Sequence, residues 1–386
     1  MGLVLTGGGA RAAYQAGVIQ GVSDIFQANR FDCGQAPFQA LSGVSAGAIN
    51  SMFLAGTDES FETAACRLVG LWENITVNQV FRTDMKTVSR IGSRWLRDLT
   101  FGGLIGSTRS THLLDTTPLR DFLHRFTDFP RLYQRIEAGR IQGVALSATN
   151  YRTGTAITFY DGSPKIQPWA RSARLGIRQK LTVDHILASS AIPGFFPPVR
   201  LGQTFYGDGG LRLSTPCSPV IHMGADRVFA VGIRHFRSED TTERINRDLS
   251  MEHISIAHVG EVVLNSIFAD SLDSDIERLE RINQTLDLMP EEIRAKHPRQ
   301  LRKIPILAMR PSKDLGTLAS EQFQELPRFF RYMLRGLGVS EREGWDLISY
   351  LAFMPSYTKT LIRLGREDAQ SREKEILKFF TDASSA

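Results

Sequence analysis

"FQALSGVSAGAINSMFLAG", residues 38–56, decides the fold. Phe38 to Leu41 reads as a buried strand that ends at Leu41 or Ser42, and a helix begins near Ala46. Between them lies Gly43-Val44-Ser45-Ala46-Gly47, a G-x-S-x-G pattern. There a nucleophilic serine sits on a strained strand-to-helix turn. The flanking Gly43 and Gly47 are needed because a Cβ would clash. The N-terminus of the following helix adds partial positive charge for an oxyanion. A plainer reading is a tight turn in which Ser45 caps the helix.

Working outward, "GLVLTGGGARAAYQAG" (2–17) repeats the theme of strand, glycine turn and helix. Such a turn can cradle a cofactor's phosphates or point amides at an oxyanion. Gly7-Gly8-Gly9-Ala10-Arg11-Ala12 fits the dinucleotide fingerprint, which also demands an acid about 20 positions on, closing the second strand. The second strand ends instead in the serine turn, and Asp32 precedes that strand. The oxyanion reading gains, because two adjacent parallel strands would set the glycine loop beside Ser45. The first six residues also fit an N-myristoylation pattern, but a buried first strand cannot be a free acylated tail.

The 386 residues are 42% apolar and 23% charged, with a formal net charge of +5. That is ordinary globular composition, enough for one large domain or two smaller ones. The mild positive excess favours anionic surfaces without choosing among them. No membrane span or secretory signal is seen. The three cysteines, Cys33, Cys66 and Cys217, suggest free thiols and a reducing compartment. A cytoplasmic location is therefore expected.

Up to about residue 237, short apolar runs alternate with helical stretches. This predicts an α/β fold with a largely parallel sheet and helices on both faces. From 238 the texture turns polar and then helical, with Ile256, Val259, Val263, Ile267, Leu272, Ile276, Leu279 and Ile282 at helical spacing. One further strand is expected near 304–309. We therefore expect a catalytic unit over 1–237 and a mainly helical region over 238–386 packed on the same core.

A serine nucleophile needs a base. His222 and His235 follow it in chain order, but neither sits in a distinctive turn. Gly207-Asp208-Gly209-Gly210 is a better candidate, because glycines around one aspartate demand unusual backbone angles or close approach. Burial there would raise the carboxylate's basicity. A plain Asx turn is the alternative. Asp161, in "FYDGSP", has the same local look followed by an ordinary turn.

Four ordered blocks, "GGGARA", "GVSAG", "ASSAIPGFFPP" (188–198) and "DGG", resemble the patatin-like phospholipases over roughly residues 1–235. The resemblance implies a three-layer α/β/α sandwich and hydrolysis of fatty-acyl lipid esters. It also implies a Ser–Asp dyad without histidine, with Ser45 as nucleophile and Asp208 as general base. Gly8 and Gly9 match the oxyanion donors, Arg11 a loop arginine supporting the oxyanion or a substrate phosphate, and Gly209 and Gly210 the turn glycines; holding the loop in shape is the alternative for Arg11. Ala12 stands where plant patatins carry glycine. Ser214-Thr215-Pro216 stands where many relatives have asparagine before proline. Neither metal nor organic cofactor is expected, since no zinc or calcium ligand spacing is seen. The expected partner is a lipid ester, not nucleic acid. A non-catalytic nucleotide- or phosphate-binding protein, or a lipid-binding scaffold, is the alternative.

Two stretches suit an anionic membrane surface. In residues 81–101, Arg82, Lys86, Arg90, Arg94 and Arg97 recur opposite Val88, Ile91, Trp95 and Leu99. That is a basic face backed by an apolar one. "LPRFFRYMLRGLG", 326–338, is similar. Both read equally as surface helices packed on the core.

Overall fold

The computed structural model describes residues 1–32, 37–84, 89–93, 112–235, 256–268, 270–296, 301–326 and 345–382, with isolated residues between them. The strands are β1 (Gly2–Leu5), β2 (Ala40–Val44), β3 (Gly143–Asn150), β4 (Thr155–Gly162) and β5 (Trp169–Arg171). They continue with β6 (Arg174–Arg178), β7 (Val199–Leu201), β8 (Thr204–Asp208), β9 (Val228–Val231) and β10 (Ile306–Met309). One sheet runs β10-β9-β1-β2-β3-β4-β6-β5, with β8 also paired to β3 and β7 to β8. From β10 to β3 every pairing is parallel. Beyond β3 the sheet is mixed, because β4 turns back antiparallel on β3.

Strand periodicity puts alternate residues on opposite faces. Leu3, Leu5, Phe229 and Val231 enter one apolar layer, and Val4, Val228 and Ala230 the other. Helices cover both faces, making an α/β/α sandwich. The first layer holds α1 (Ala13–Ala28), α2 (Ala46–Gly56) and α3 (Phe61–Glu73). The helical pattern expected after 255 forms two helices, α5 (Ile256–Phe268) and α6 (Asp270–Asp287), following α4 (Val183–Ser189). Leu272 and Ile276 of α6 pack on the second face. Val259 and Val263 stand about half exposed, so the periodic face of α5 is not wholly core.

The chain closes with α7 (Trp345–Leu351), α8 (Pro355–Ser371) and α9 (Glu373–Thr381). Helix α8 lies against α1 at a contact only glycine permits. A Cβ on Gly17 would sit 2.1 Å from the Ile362 carbonyl oxygen, and one on Gly365 2.3 Å from that of Tyr14. The Tyr14 hydroxyl donates to Asp368 across this contact at 3.0 Å. Gly2 to Leu5 are fully buried, which suits the buried-strand reading of the N-terminus. Among the described residues no helix is long and apolar enough to cross a membrane.

Candidate active site

Strand register brings the serine turn and the aspartate turn together. One edge of β3 is taken along its length by β4. On the other edge β2 occupies Gly143 to Ser147, ending with Val44 opposite Ser147. Strand β8 then takes over, with Asp208 opposite Ala148. The residue leaving β2, Ser45, therefore meets the last residue of β8 end on. The strand runs to Val44, two or three residues past the expected end, because its ladder with β3 persists up to the turn.

Ser45 has φ 54° and ψ −129°, a backbone conformation that side-chain-bearing residues rarely adopt and that costs about 1–3 kcal/mol. Several hydrogen bonds hold it. Its amide donates to the Ser189 carbonyl at 3.1 Å and to Ser189 Oγ at 3.0 Å. Ser189 Oγ donates onward to the Ser147 carbonyl, and Ser190 Oγ to the Ser45 carbonyl. The Ser45 side chain makes no capping bond to α2, unlike the plainer reading. The turn glycines serve close approach. A Cβ on Gly43 would lie 2.3 Å from the Gly47 carbonyl oxygen, and one on Gly47 2.1 Å from that of Leu5. Gly47→Ala is therefore expected to destabilise the protein by about 3 kcal/mol or more, beyond usual overpacking because the obstacle is backbone. Thermal or denaturant melting checks this.

Asp208 is fully buried. Its Oδ1 accepts the Gly210 amide at 2.9 Å, and its own amide and carbonyl bond to Ala191 and Thr149. Oδ2 has no hydrogen bond of standard geometry among the described residues. Burial pushes the carboxyl up to about 7, against the opposing pull of the nearby Ser45 hydroxyl and the Gly210 amide. That hydroxyl thus lies close enough to act on the carboxyl, short of an aligned bond. The surrounding glycines again serve proximity. A Cβ on Gly209 would meet the Ser147 carbonyl oxygen at 2.1 Å, and none of Gly207, Gly209 and Gly210 has a positive φ. Asp161 differs. It is the next-to-last residue of β4, accepts the Gly162 amide, and faces Arg178 at 3.4 Å.

The glycine loop leads from β1 into α1. Gly9 has φ 54°, and a Cβ there would lie 2.0 Å from the Tyr350 carbonyl oxygen. The amides of Gly8 and Gly9 donate to no described residue. Beneath them a buried chain fixes the loop. Gln15 Nε2 donates to the Thr6 carbonyl, Asn50 Nδ2 to Gln15 Oε1, and Trp72 Nε1 to Asn50 Oδ1.

The Arg11 side chain is buried and turned to the C-terminal helices. Its Nε donates to Ser349 Oγ at 2.6 Å, and its Nη2 forms a 2.5 Å ion pair with Asp346. Its Nη1 reaches Asn265 and Tyr350 at 3.4 Å. All three nitrogens are committed to α5 and α7, so the side chain braces the loop against the C-terminal region. Burial works against the Asp346 charge, but Arg11 outweighs it and keeps that carboxyl low. Neighbouring Glu261 is pushed up by burial and by the Asp346 charge, so it holds the proton of the pair.

Ser45 and Gly9 open onto a narrow apolar crevice lined by Ile49, Leu71, Trp72 and Phe353, with a water-accessible volume of only about 20 Å³. Leu119, Ser190 and Phe196 are shared with a wider cleft of about 500 Å³, where Arg120, Arg200, Asp115 and Asp184 add polar walls. Arg120 and Asp184 pair at 2.6 Å.

The two histidines are engaged elsewhere. His222 stacks on Trp169 at 4.6 Å, and burial, followed by Arg171 and Arg174, lowers it to about 4. His235 Nδ1 lies 3.0 Å from the Pro311 carbonyl. The roles of Ser189, Asp346, Gln15 and Asn50 were missed, because each acts through partners distant in sequence, although Ser189 lies in the 188–198 block that carries the resemblance. Lys86, Val88, Arg94, Trp95 and Leu99 of the basic stretch, and most of 326–338, lie outside the described residues.

The family model for patatin-like phospholipase matches residues 3–221. No curated protein matches the chain. Three solved structures are distantly similar. VipD from Legionella pneumophila is 12% identical with a TM-score of 0.35, covering 80% of this chain and 60% of its own. Human GIVD cytosolic phospholipase A2, solved with methyl gamma-linolenyl fluorophosphonate, is 13% identical with a TM-score of 0.43, covering 99% and 58%. ExoU of Pseudomonas aeruginosa, solved with SpcU, is 13% identical with a TM-score of 0.28, covering 90% and 70%. The chain thus spans 60% and 58% of the first two structures it matches.

Proposed function

Since the chain belongs to the patatin-like phospholipase family, a family of lipid acyl hydrolases, we propose that it cleaves fatty-acyl esters of lipids with Ser45 as nucleophile and Asp208 as base. The observation that carries this reading is the end-on meeting of β2 and β8 along β3. It sets a strained serine beside a buried carboxyl whose free oxygen has no other donor among the described residues.

The chemistry follows from these groups. Asp208 Oδ2 takes the Ser45 hydroxyl proton as Oγ bonds to the ester carbonyl carbon. The Gly8 and Gly9 amides, with the N-terminus of α2, hold the oxyanion, each amide contributing about 3 kcal/mol. Collapse breaks the bond to the leaving alkoxide, which takes the proton from Asp208. Water then repeats the sequence on the acyl-enzyme, with Asp208 again as base. A carboxyl near 7 suits this exchange, because a base works best when its pKa lies near the working pH. The apolar crevice would take the acyl chain and must widen to do so. The polar cleft beside it would take the remainder of the lipid. On this reading 1–237 is the catalytic unit, and 238–386 braces its glycine loop through Arg11.

Hydrolysis of a p-nitrophenyl ester by the wild type, lost in Ser45→Ala with the fold intact, tests the proposal. Arg11 gives a second check. Arg11→Lys loses the planar fork that meets Asp346 and Ser349. It is expected to lower kcat/KM by about the same factor, roughly tenfold, on phosphate-free and phospholipid esters alike. A selective loss on phospholipid would instead place a lipid phosphate at Arg11.

A further inference from the structure

A second cleft, of about 460 Å³, lies outside the crevice and shares no lining residue with it. Its walls are the start of β6, the turn 210–214, and the facing parts of α5 and α6. Three cations line it, Arg174, Arg212 and Arg278, and among the described residues no carboxylate does. Arg174 feels the charge of Asp275 without a direct ion pair to it among the described residues. Arg212 commits only its Nε, to the Gly154 carbonyl at 2.7 Å. Asp275, itself buried, accepts the Cys217 amide and stands 3.8 Å from Arg278. Ser172, Ser214 and Ser271 line the same space.

Guanidinium forks match phosphate oxygens in geometry as well as charge, and hydroxyl donors complete such a shell. Asp275 offsets part of this positive charge from outside the lining, and an anion in the cleft would offset the rest. The volume suits a small ligand group. We propose that this cleft binds the phosphate group of an anionic ligand. The bound phosphate would grip the turn that carries Asp208, since the Gly210 amide that holds Asp208 Oδ1 belongs to the same wall.

The test uses the full chain as Ser45→Ala, so that lipid is not consumed. Inorganic pyrophosphate is titrated by calorimetry into this protein and into one also carrying Arg174→Gln and Arg278→Gln. Saturable binding is expected, weakened about tenfold or more in the second protein with its fold intact by circular dichroism. Flotation with phosphatidylcholine vesicles, with and without phosphatidic acid, separates the sources. Preference for phosphatidic acid assigns the phosphate to a lipid headgroup, and equal flotation assigns it to a soluble ligand. A control with Arg67→Gln and Arg363→Gln removes the same charge elsewhere and should bind normally. Absence of saturable pyrophosphate binding overturns the proposal. So does equal binding by the Arg174/Arg278 variant, or equal weakening in the control.

Discussion

Asp208→Asn is expected to lower ester hydrolysis by about 10²–10⁴-fold, the usual contribution of a positioned base. The amide keeps the shape of the carboxyl and can still accept the Gly210 amide, but it cannot take the Ser45 proton. In the wild type, kcat/KM should rise with pH and level off above about 7, because only the ionised carboxylate acts as base. The same variant should be more stable than the wild type. The folded pKa lies above the unfolded value of about 3.9, so the folded state holds this proton more tightly. Stability from this group is complete below the unfolded pKa and is lost as pH rises to the folded one. Three pKa steps set the loss on the order of 4 kcal/mol. Asparagine carries no charge and escapes that loss. Melting at about pH 8 should show the gain, and melting at about pH 4 should show little of it. Equal stability of both proteins at the higher pH would mean that the carboxyl is solvated.

Ser45→Gly is expected to remove hydrolysis by about 10⁴-fold or more, as loss of a nucleophile does, while making the protein more stable. Glycine tolerates a φ of 54° without strain. Relief of about 1–3 kcal/mol, less about 0.5–1 kcal/mol for the added freedom of the unfolded chain, leaves a gain of about 1 kcal/mol. Ser45→Ala should be just as inactive but no more stable, because its Cβ keeps the strain. Parallel denaturant melts of the two variants check this. Equal stability of Gly and Ala variants would show that the turn is relaxed.

The serine turn was legible because local rules meet there: a strand, two glycines that cannot carry a Cβ, and a helix start. The aspartate turn was legible for a related reason, although its glycines serve close approach and not unusual angles. Strand alternation gave the layered sheet as far as β3, but nothing in "TAITFYDG" says that β4 turns back antiparallel. The role of Arg11 was not legible. Its partner Asp346 lies 335 residues away, and an arginine in a glycine loop looks the same whether it meets a phosphate or a buried carboxylate. Ser189, 144 residues from the amide it holds, is hidden likewise. Local sequence reports what a turn needs, whereas long-range hydrogen bonds are fixed only by packing.

The most direct test of the Ser–Asp account is covalent labelling. The wild-type chain is treated with an alkyl fluorophosphonate, and the adduct is located by peptide mass mapping across a pH series. One adduct is predicted, on Ser45, forming faster as pH rises through about 7 and strongly slowed in Asp208→Asn. An adduct on another residue, or ester hydrolysis undiminished in Ser45→Ala, would contradict the account.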